Sequence, residues 1–160
     1  MLKPNFLMKS VANINSRFLQ ANGIKGLVVD VDNTLAKHDC PTPEPFAVEW
    51  INTMKENGFQ IVIISNNAKE RVQPFSDALG VPFVYDAKKP LGKGYKQALK
   101  LMGLKKNQVA MVGDQVFTDT LGGNMAGLTT ILVNPIDTGT DIAQIKFKRT
   151  LENLIVKRVK

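Results

Sequence analysis

Two carboxylates follow an apolar run early in the chain. Residues 27–29 form an uninterrupted β-branched and aliphatic run, and Asp30 and Asp32 come directly after it, two residues apart. Such a run is typical of a strand that is buried on both faces of a parallel sheet. Side chains alternate along an extended chain, so both carboxylates should lie on the same side, where their repulsion is costly without a nearby cation. Hard oxygen ligands suit Mg²⁺, and the pair therefore predicts a divalent metal site.

Polar side chains also follow three further apolar runs. They are Ser65 and Asn66, then Lys89, then Asp114 and Asp119. The carboxyl ends of parallel strands meet at one edge of a sheet, so we expect all of these groups to converge there. A carboxylate can act as a nucleophile and a second one can move a proton. A hydroxyl, an amide and a lysine can hold phosphate oxygens, and further carboxylates can hold a metal. The set therefore predicts phosphoryl transfer.

Strand and helix patterns alternate through the chain. Glycines recur just before the strands, at Gly58, Gly80, Gly103 and Gly127, where each should end a helix in the left-handed conformation. Strict alternation predicts an α/β fold, a three-layer Rossmann-like parallel sheet of about five strands with helices on both faces. The predicted strands after the first are at 60–65, 82–85, 109–112 and 129–133. The length of 160 residues predicts one domain over 1–160.

The two ends of the chain have distinct patterns. Apolar residues at Leu7, Val11, Ile14 and Phe18 predict an amphipathic helix over 1–20, and a basic helix is predicted over 141–160. The net charge of +7 suggests an acidic partner, such as an anionic lipid or a phosphorylated substrate. The N-terminus does not resemble a signal peptide and no apolar run is long enough to span a bilayer. We therefore expect a cytoplasmic protein, with peripheral contact at the inner face of the membrane if the two ends bind anionic lipid.

Four motifs carry a family resemblance. They are DVDNTL at 30–35, SNN at 65–67, KKP at 88–90 and GDQVFTD at 113–119. On these motifs the stretch of about residues 22–135 resembles the haloacid dehalogenase (HAD) superfamily phosphatases of subclass IIIA. Among them it is most similar to the YqeG-type proteins, which are related to mitochondrial phosphatidylglycerophosphate phosphatases.

The resemblance implies roles for the catalytic and metal-binding residues. Asp30 would be the nucleophile and a Mg²⁺ ligand, and Asp32 the general acid/base, with its backbone carbonyl on the metal. Lys89 would pair with both the nucleophile and the phosphate. Asp114 would bind the metal directly and Asp119 would support the metal site.

The resemblance also assigns residues to the substrate side. Ser65 and Asn66 would bind the transferring phosphate, and Thr34 would orient Asp32. The sequence leaves other polar residues near the motifs without a role, namely Asn33, His38, Cys40, Asn67 and Gln115.

The segments between the motifs are short. Each holds little more than one helix and its loops, so no cap domain is expected over the site. An open site suits a bulky substrate, and the resemblance implies phosphatidylglycerophosphate. Two alternatives stay open for the substrate and the class: a soluble phosphatase for a phosphosugar or nucleotide, whose open site is covered by oligomerisation, and a phospho-accepting receiver-like domain. An RNA-binding module lacks interleaved aromatic residues, so no nucleic-acid partner is expected. The oligomeric state is left open.

Overall fold

A six-stranded parallel sheet forms the centre of the fold in the computed structural model, which describes residues 1–137 and 152–153. The order of the strands across the sheet is β1-β6-β5-β2-β3-β4. Their bounds are β1 (Phe6–Met8), β2 (Gly26–Val29), β3 (Gln60–Ile64), β4 (Phe83–Val84), β5 (Val109–Gly113) and β6 (Thr129–Val133). The predicted α/β class is confirmed, with one strand more than expected.

Five α-helices connect these strands. They are α1 (Ser16–Ala21), α2 (Pro45–Glu56), α3 (Lys69–Leu79), α4 (Gly92–Met102) and α5 (Leu121–Ala126). A π-helical turn over Val116–Thr120 precedes α5. The glycines predicted to end helices all have positive φ, from 64° at Gly80 and Gly103 to 85° at Gly58. The left-handed conformation therefore turns the chain from each of these helices toward the next strand.

The central strands are buried on both faces of the sheet. Along β2, Leu27 and Val29 pack into one apolar cluster and Val28 packs into a second one on the opposite face. The same alternation continues in β3 and β5. Trp50 of α2 and Phe75 of α3 join the first cluster, and α4 packs in the second. Helices thus cover both faces, as the continuous apolar runs predict.

The register of the central strands aligns their carboxyl ends. Val29 of β2 lies opposite Ile63 of β3 and Val112 of β5. The residues that follow these strands therefore emerge side by side at one edge of the sheet. Between β2 and β3 the described chain contains α2 and loops only, in agreement with the expected lack of a cap domain.

The N-terminal segment differs from its prediction. The one helix expected over residues 1–20 is wrong: the segment forms β1, a 3₁₀ turn over Val11–Asn13 and the short helix α1. Asn5 ties β1 to the sheet, since its side-chain Oδ1 accepts from the backbone N–H of Thr130 at 2.8 Å. Val11 and Ile14 are buried in the core, so the apolar spacing reflects packing on the domain.

Most of the predicted C-terminal helix over 141–160 lies outside the described residues. Glu152 and Asn153 are described, and both are helical. The side chain of Glu152 accepts from the backbone N–H of Phe117 at 3.1 Å. The single domain over 1–160 stays a prediction. Of the described helices, none has the length and apolar character needed to cross a bilayer.

Candidate active site

Lys89 connects two carboxylates at the carboxyl edge of the sheet. Its Nζ lies 2.7 Å from Oδ1 of Asp30 and 2.7 Å from Oδ1 of Asp119. Asp30 follows β2, Lys89 lies in the loop between β4 and α4, and Asp119 lies in the π-helical turn after β5. The side chain of Lys89 is only 4% exposed, so these charge-assisted bonds are shielded from water. Three of the predicted site residues are thereby brought together.

Asp114 completes a group of three carboxylates with Asp30 and Asp119. Oxygen atoms of the three side chains all lie within 4.8 Å of one another. Lys89 supplies one positive charge against three negative ones. A buried excess of negative charge is costly, and a divalent cation among hard oxygen ligands would offset it. The donor set therefore fits a divalent metal ion.

Burial governs the electrostatics of this group. Burial raises the pKa of Asp30, the charge of Asp119 raises it further, and Lys89 lowers it, with a net pKa well above the usual carboxyl range. Burial alone would lower the pKa of Lys89, but the carboxylates of Asp119 and Asp30 more than compensate, so its pKa is raised. Lys89 is therefore a permanent cation here. A bound cation would favour the ionised form of Asp30 in the same way as Lys89 does.

Gly113 makes room for the side chain of Asp119. A Cβ atom at this position would lie 2.2 Å from Oδ2 of Asp119, far inside van der Waals contact. The backbone N–H of Gln115 donates to that same oxygen at 3.1 Å. The glycine at the end of β5 thus lets Asp119 fold back toward Lys89. The Gln115 side chain instead accepts from the Thr118 hydroxyl at 3.1 Å, within the turn itself.

Thr34 contacts a different carboxylate from the one predicted. Its Oγ1 donates to Oδ1 of Asp114 at 3.4 Å, whereas the sequence placed it beside Asp32. The chain leaves the extended conformation after β2, and Asn33 adopts a left-handed φ of 59°. This turn rotates Thr34 toward β5. In the structure Thr34 therefore contacts Asp114, and its predicted role in orienting Asp32 stays a prediction.

Asp32 lies apart from the three carboxylates. Its Oδ1 accepts from Arg71 Nη2 at 2.7 Å and from the backbone N–H of Asp39 at 3.2 Å. Its Oδ2 accepts from Asn67 Nδ2 at 2.7 Å. The expectation of a cation near both carboxylates assumed an extended chain through Asp30 and Asp32. Because β2 ends at Val29, the two carboxylates instead have separate sets of partners.

Ser65 and Asn66 shape the loop that follows β3. The Ser65 hydroxyl is buried and accepts from the backbone N–H of Asn67 at 3.1 Å. The Asn66 side chain bonds the main chain of Lys89 twice: Oδ1 accepts from N–H at 2.7 Å, and Nδ2 donates to the carbonyl at 3.2 Å. Asn66 thus positions Lys89, a contact that the sequence did not predict. The phosphate contacts predicted for both residues stay predictions.

The remaining unassigned polar residues have local partners. The Oδ1 of Asn33 accepts from the backbone N–H of Asp137 at 3.1 Å, which ties the segment after β6 to the site. His38 Nε2 lies 3.3 Å from a carboxylate oxygen of the exposed Asp39. The carbonyl of Cys40 accepts from Arg71 Nη1 at 2.6 Å. Sequence reasoning missed Arg71, which lies inside α3, and left Asn67 without a role although it belongs to the SNN motif after β3.

Comparison with known proteins places the site in a family. The model of the haloacid dehalogenase-like hydrolases matches residues 15–127. The probable phosphatase YqeG of Bacillus subtilis is 42% identical over 157 residues, which cover 98% of this chain and 91% of that protein. The chloroplastic phosphatidylglycerophosphate phosphatase 1 of Chlamydomonas reinhardtii is 29% identical over 97% of this chain. This chain spans 61% of the algal protein.

Solved structures show the same fold at low sequence identity. The cobalt-bound deoxy-D-mannose-octulosonate 8-phosphate phosphatase of Haemophilus influenzae superposes with a TM-score of 0.56 and 15% identity, covering 85% of this chain and 89% of that one. This likeness supports the fold alone. The family match and the near full-length similarity to YqeG go further. The chain therefore belongs to the haloacid dehalogenase-like hydrolases, and within them to the phosphatases.

Proposed function

We propose that the protein is a Mg²⁺-dependent phosphomonoester hydrolase that works through an aspartyl-phosphate at Asp30. The observation that carries the proposal is Lys89, whose Nζ lies 2.7 Å from Asp30 inside a buried group of three carboxylates. This arrangement supplies a carboxylate nucleophile beside a fixed positive charge that can neutralise a phosphate oxygen.

The reaction has two steps. An oxygen of Asp30 attacks phosphorus and forms an O–P bond, while the bond to the leaving oxygen breaks and that oxygen takes a proton from the carboxyl of Asp32. A water molecule then attacks phosphorus, the bond to Asp30 breaks, and the proton of the water returns to Asp32. Inorganic phosphate is released and both carboxyl groups regain their starting states.

The remaining site residues orient the phosphate and the catalytic groups. The buried hydroxyl of Ser65 can donate its proton to a phosphate oxygen, since its oxygen already accepts from Asn67. Asn66 fixes the backbone of Lys89 through two hydrogen bonds. Because these groups are held before substrate arrives, little reorganisation is needed in the transition state.

The metal would be held by the carboxylates of Asp30, Asp114 and Asp119, with the backbone carbonyl of Asp32 as a further ligand implied by the family resemblance. When bound, Mg²⁺ would offset the repulsion between the anionic nucleophile and an anionic phosphate. Thr34 would hold Asp114 in a binding orientation through its bond of 3.4 Å.

We infer that the substrate is phosphatidylglycerophosphate, which would be converted to phosphatidylglycerol. Two observations support this: the similarity to proteins named as phosphatidylglycerophosphate phosphatases, at 29% and 27% identity, and the uncapped edge of the sheet. Contact with an anionic membrane would use the basic C-terminal residues, because Val11 and Ile14 of the N-terminal segment are buried. The cytoplasmic location stays a prediction.

Phosphate release from phosphatidylglycerophosphate in detergent micelles tests both parts of the proposal. The protein is assayed with Mg²⁺ and then with a chelator, beside an aryl phosphate as a generic substrate. Asp30→Asn is the test variant, and Asp77→Asn makes the same chemical change at an exposed residue of α3. We expect metal-dependent release from the lipid that is lost in Asp30→Asn and retained in Asp77→Asn.

The other outcomes separate the mechanism from the substrate. Release from the aryl phosphate alone, again lost in Asp30→Asn, would keep the mechanism and reject the lipid substrate in favour of a soluble phosphoester. Full activity of Asp30→Asn, or equal activity in the presence of chelator, would reject the mechanism. Release from neither substrate would favour the receiver-like alternative.

A further inference from the structure

Arg71 and Asn67 hold the carboxylate of Asp32 from two sides. Arg71 Nη2 lies 2.7 Å from Oδ1, and Asn67 Nδ2 lies 2.7 Å from Oδ2. The side chains of Arg71 and Asp32 are only 21% and 16% exposed, so this ion pair is largely shielded from solvent. A long arginine side chain is ordered in this way only if several contacts offset the loss of its conformational freedom.

Those further contacts are present. The second terminal nitrogen of Arg71, Nη1, donates to the carbonyl of Cys40 at 2.6 Å, so the guanidinium fork links helix α3 to the loop before α2. The same guanidinium lies over the ring of Phe75, 4.7 Å from the centroid. Phe75 is itself fully buried, so the ring beneath the guanidinium is held in place.

Asn67 is held through its backbone. Its N–H donates to the Ser65 hydroxyl at 3.1 Å, and its carbonyl accepts from the N–H of Asp86 at 2.9 Å. The side-chain amide takes no part in these two backbone bonds. Removing the side-chain amide would delete the contact with Asp32 and leave the loop that carries it tied at both backbone groups.

These contacts give the carboxylate of Asp32 a different set of partners from the metal-binding group. Lys89 and the carboxylates of Asp114 and Asp119 surround Asp30, whereas Asp32 belongs to a separate set of partners. A proton donor for the leaving oxygen must stand clear of the oxygens that Lys89 and the metal would hold. We propose that Arg71 and Asn67 are positioning residues that hold the carboxyl of Asp32 toward the leaving group, so that cleavage of poor leaving groups depends on them.

The bonding pattern distinguishes the two oxygens of Asp32. Oδ1 accepts from a guanidinium and from the backbone N–H of Asp39, while Oδ2 accepts from the neutral amide of Asn67. Each oxygen is therefore held by its own side-chain donor, and Arg71 and Asn67 together set the orientation of the carboxyl group. The inference rests on the proposed function, in which Asp32 is the general acid/base.

The test compares leaving groups. Aryl phosphates release a stable phenolate and need little protonation, whereas alkyl phosphates release a basic alkoxide and need a placed proton donor. The value of kcat/KM reports steps up to the departure of the leaving group, so it is independent of hydrolysis of the aspartyl-phosphate. We would measure kcat/KM over a series of aryl and alkyl phosphates for wild type, Arg71→Ala, Asn67→Ala and Asp32→Asn. The control Arg17→Ala removes the same side chain from the exposed face of α1.

We expect Arg71→Ala and Asn67→Ala to lower kcat/KM on alkyl phosphates by about tenfold or more beyond their effect on aryl phosphates, in the same direction as Asp32→Asn. Arg71→Lys should restore part of the difference, because one ammonium keeps the charge but cannot reproduce the fork to Asp32 and Cys40. Arg17→Ala should match wild type on both substrate types.

Equal losses on aryl and alkyl phosphates in both variants would overturn the inference, since a purely structural role would affect every substrate alike. If Arg71→Ala does not fold, Asn67→Ala alone tests the positioning role, because the backbone bonds of residue 67 are retained in that variant. A lack of leaving-group dependence in Asp32→Asn itself would reject the general-acid role, and the inference with it. A larger loss on alkyl than on aryl phosphates in Asp32→Asn, without such a difference in Arg71→Ala and Asn67→Ala, would reject the inference and keep the phosphatase mechanism.

Discussion

Removal of the Lys89 charge should destabilise the folded protein even before substrate is considered. Lys89→Met keeps a side chain of similar length but leaves three buried carboxylates without their cation. The side chains of Lys89 and Asp119 are 4% and 2% exposed, so water cannot replace the lost partner. Breaking one side of a buried ion pair costs about 3–5 kcal/mol. For a protein of this size that is a fall in Tm of about 6–20 °C.

The loss should also depend on pH in a defined direction. Burial and Asp119 raise the pKa of Asp30 while Lys89 lowers it, so removal of Lys89 takes the pKa of Asp30 higher still. A carboxyl whose pKa is higher in the folded than in the unfolded state contributes stability below the unfolded pKa. That stability is lost as the pH rises through the folded pKa. The fall in Tm with rising pH should therefore extend to a higher pH in Lys89→Met than in wild type.

Thermal unfolding in the presence of a chelator measures the effect without a contribution from metal. Lys93→Met, at an exposed position of α4, is the matched control and should change stability by about 0.5 kcal/mol or less. The double variant Lys89→Met/Asp119→Asn removes one of the carboxylates together with the cation. We expect it to be more stable than Lys89→Met alone, with a coupling of about 0.5–3 kcal/mol. Additive losses in the double variant, or a Lys89→Met protein as stable as the control, would refute the reasoning.

Two further substitutions test the packing around the site and the core. Gly113→Ala should lower activity and should lower stability by about 1–3 kcal/mol, because its Cβ would overlap the side chain of Asp119. The control is Gly92→Ala, because no atom lies within 4 Å of its new Cβ. Trp50→Phe should cost about 1–3 kcal/mol in chemical unfolding, because it removes the 2.8 Å bond from the indole to the carbonyl of Ile14. Neither residue belongs to the candidate site, so we expect kcat/KM to stay unchanged, and a changed kcat/KM would contradict this separation.

The edge of the sheet that carries the site could be predicted because it follows from topology. Continuous apolar runs identify buried parallel strands, and parallel strands place the residues after them at one edge. Asp30, Lys89 and Asp119 come from three separate segments and meet at 2.7 Å by this rule. The partners of Asp32 and Thr34 could not be predicted in this way. They depend on the turn at Asn33, whose left-handed backbone redirects the side chains that follow it.

The N-terminal strand β1 could not be predicted from the local sequence. Apolar spacing at Val11 and Ile14 matches a helix, and three residues of β1 are too few to show alternation. The evidence for the strand lies in Thr130, which is 125 residues away in the chain and whose backbone N–H donates to Oδ1 of Asn5. Arg71 was missed for a related reason: an arginine on a helix usually faces solvent, and only the tertiary structure reveals its partly buried carboxylate partner.

The position of β1 beside β6 has a consequence for how the protein is made. The first described strand pairs with the last described strand of the sheet, across a separation of 125 residues at Asn5 and Thr130. At a synthesis rate of about 5–20 residues per second, the first strand waits about 6–25 s for its partner. During that interval the central strands can assemble without it. The pairing of β1 with β6 can therefore form only after the chain between them has been made, and it joins two parts of the described sheet that are synthesised far apart in time.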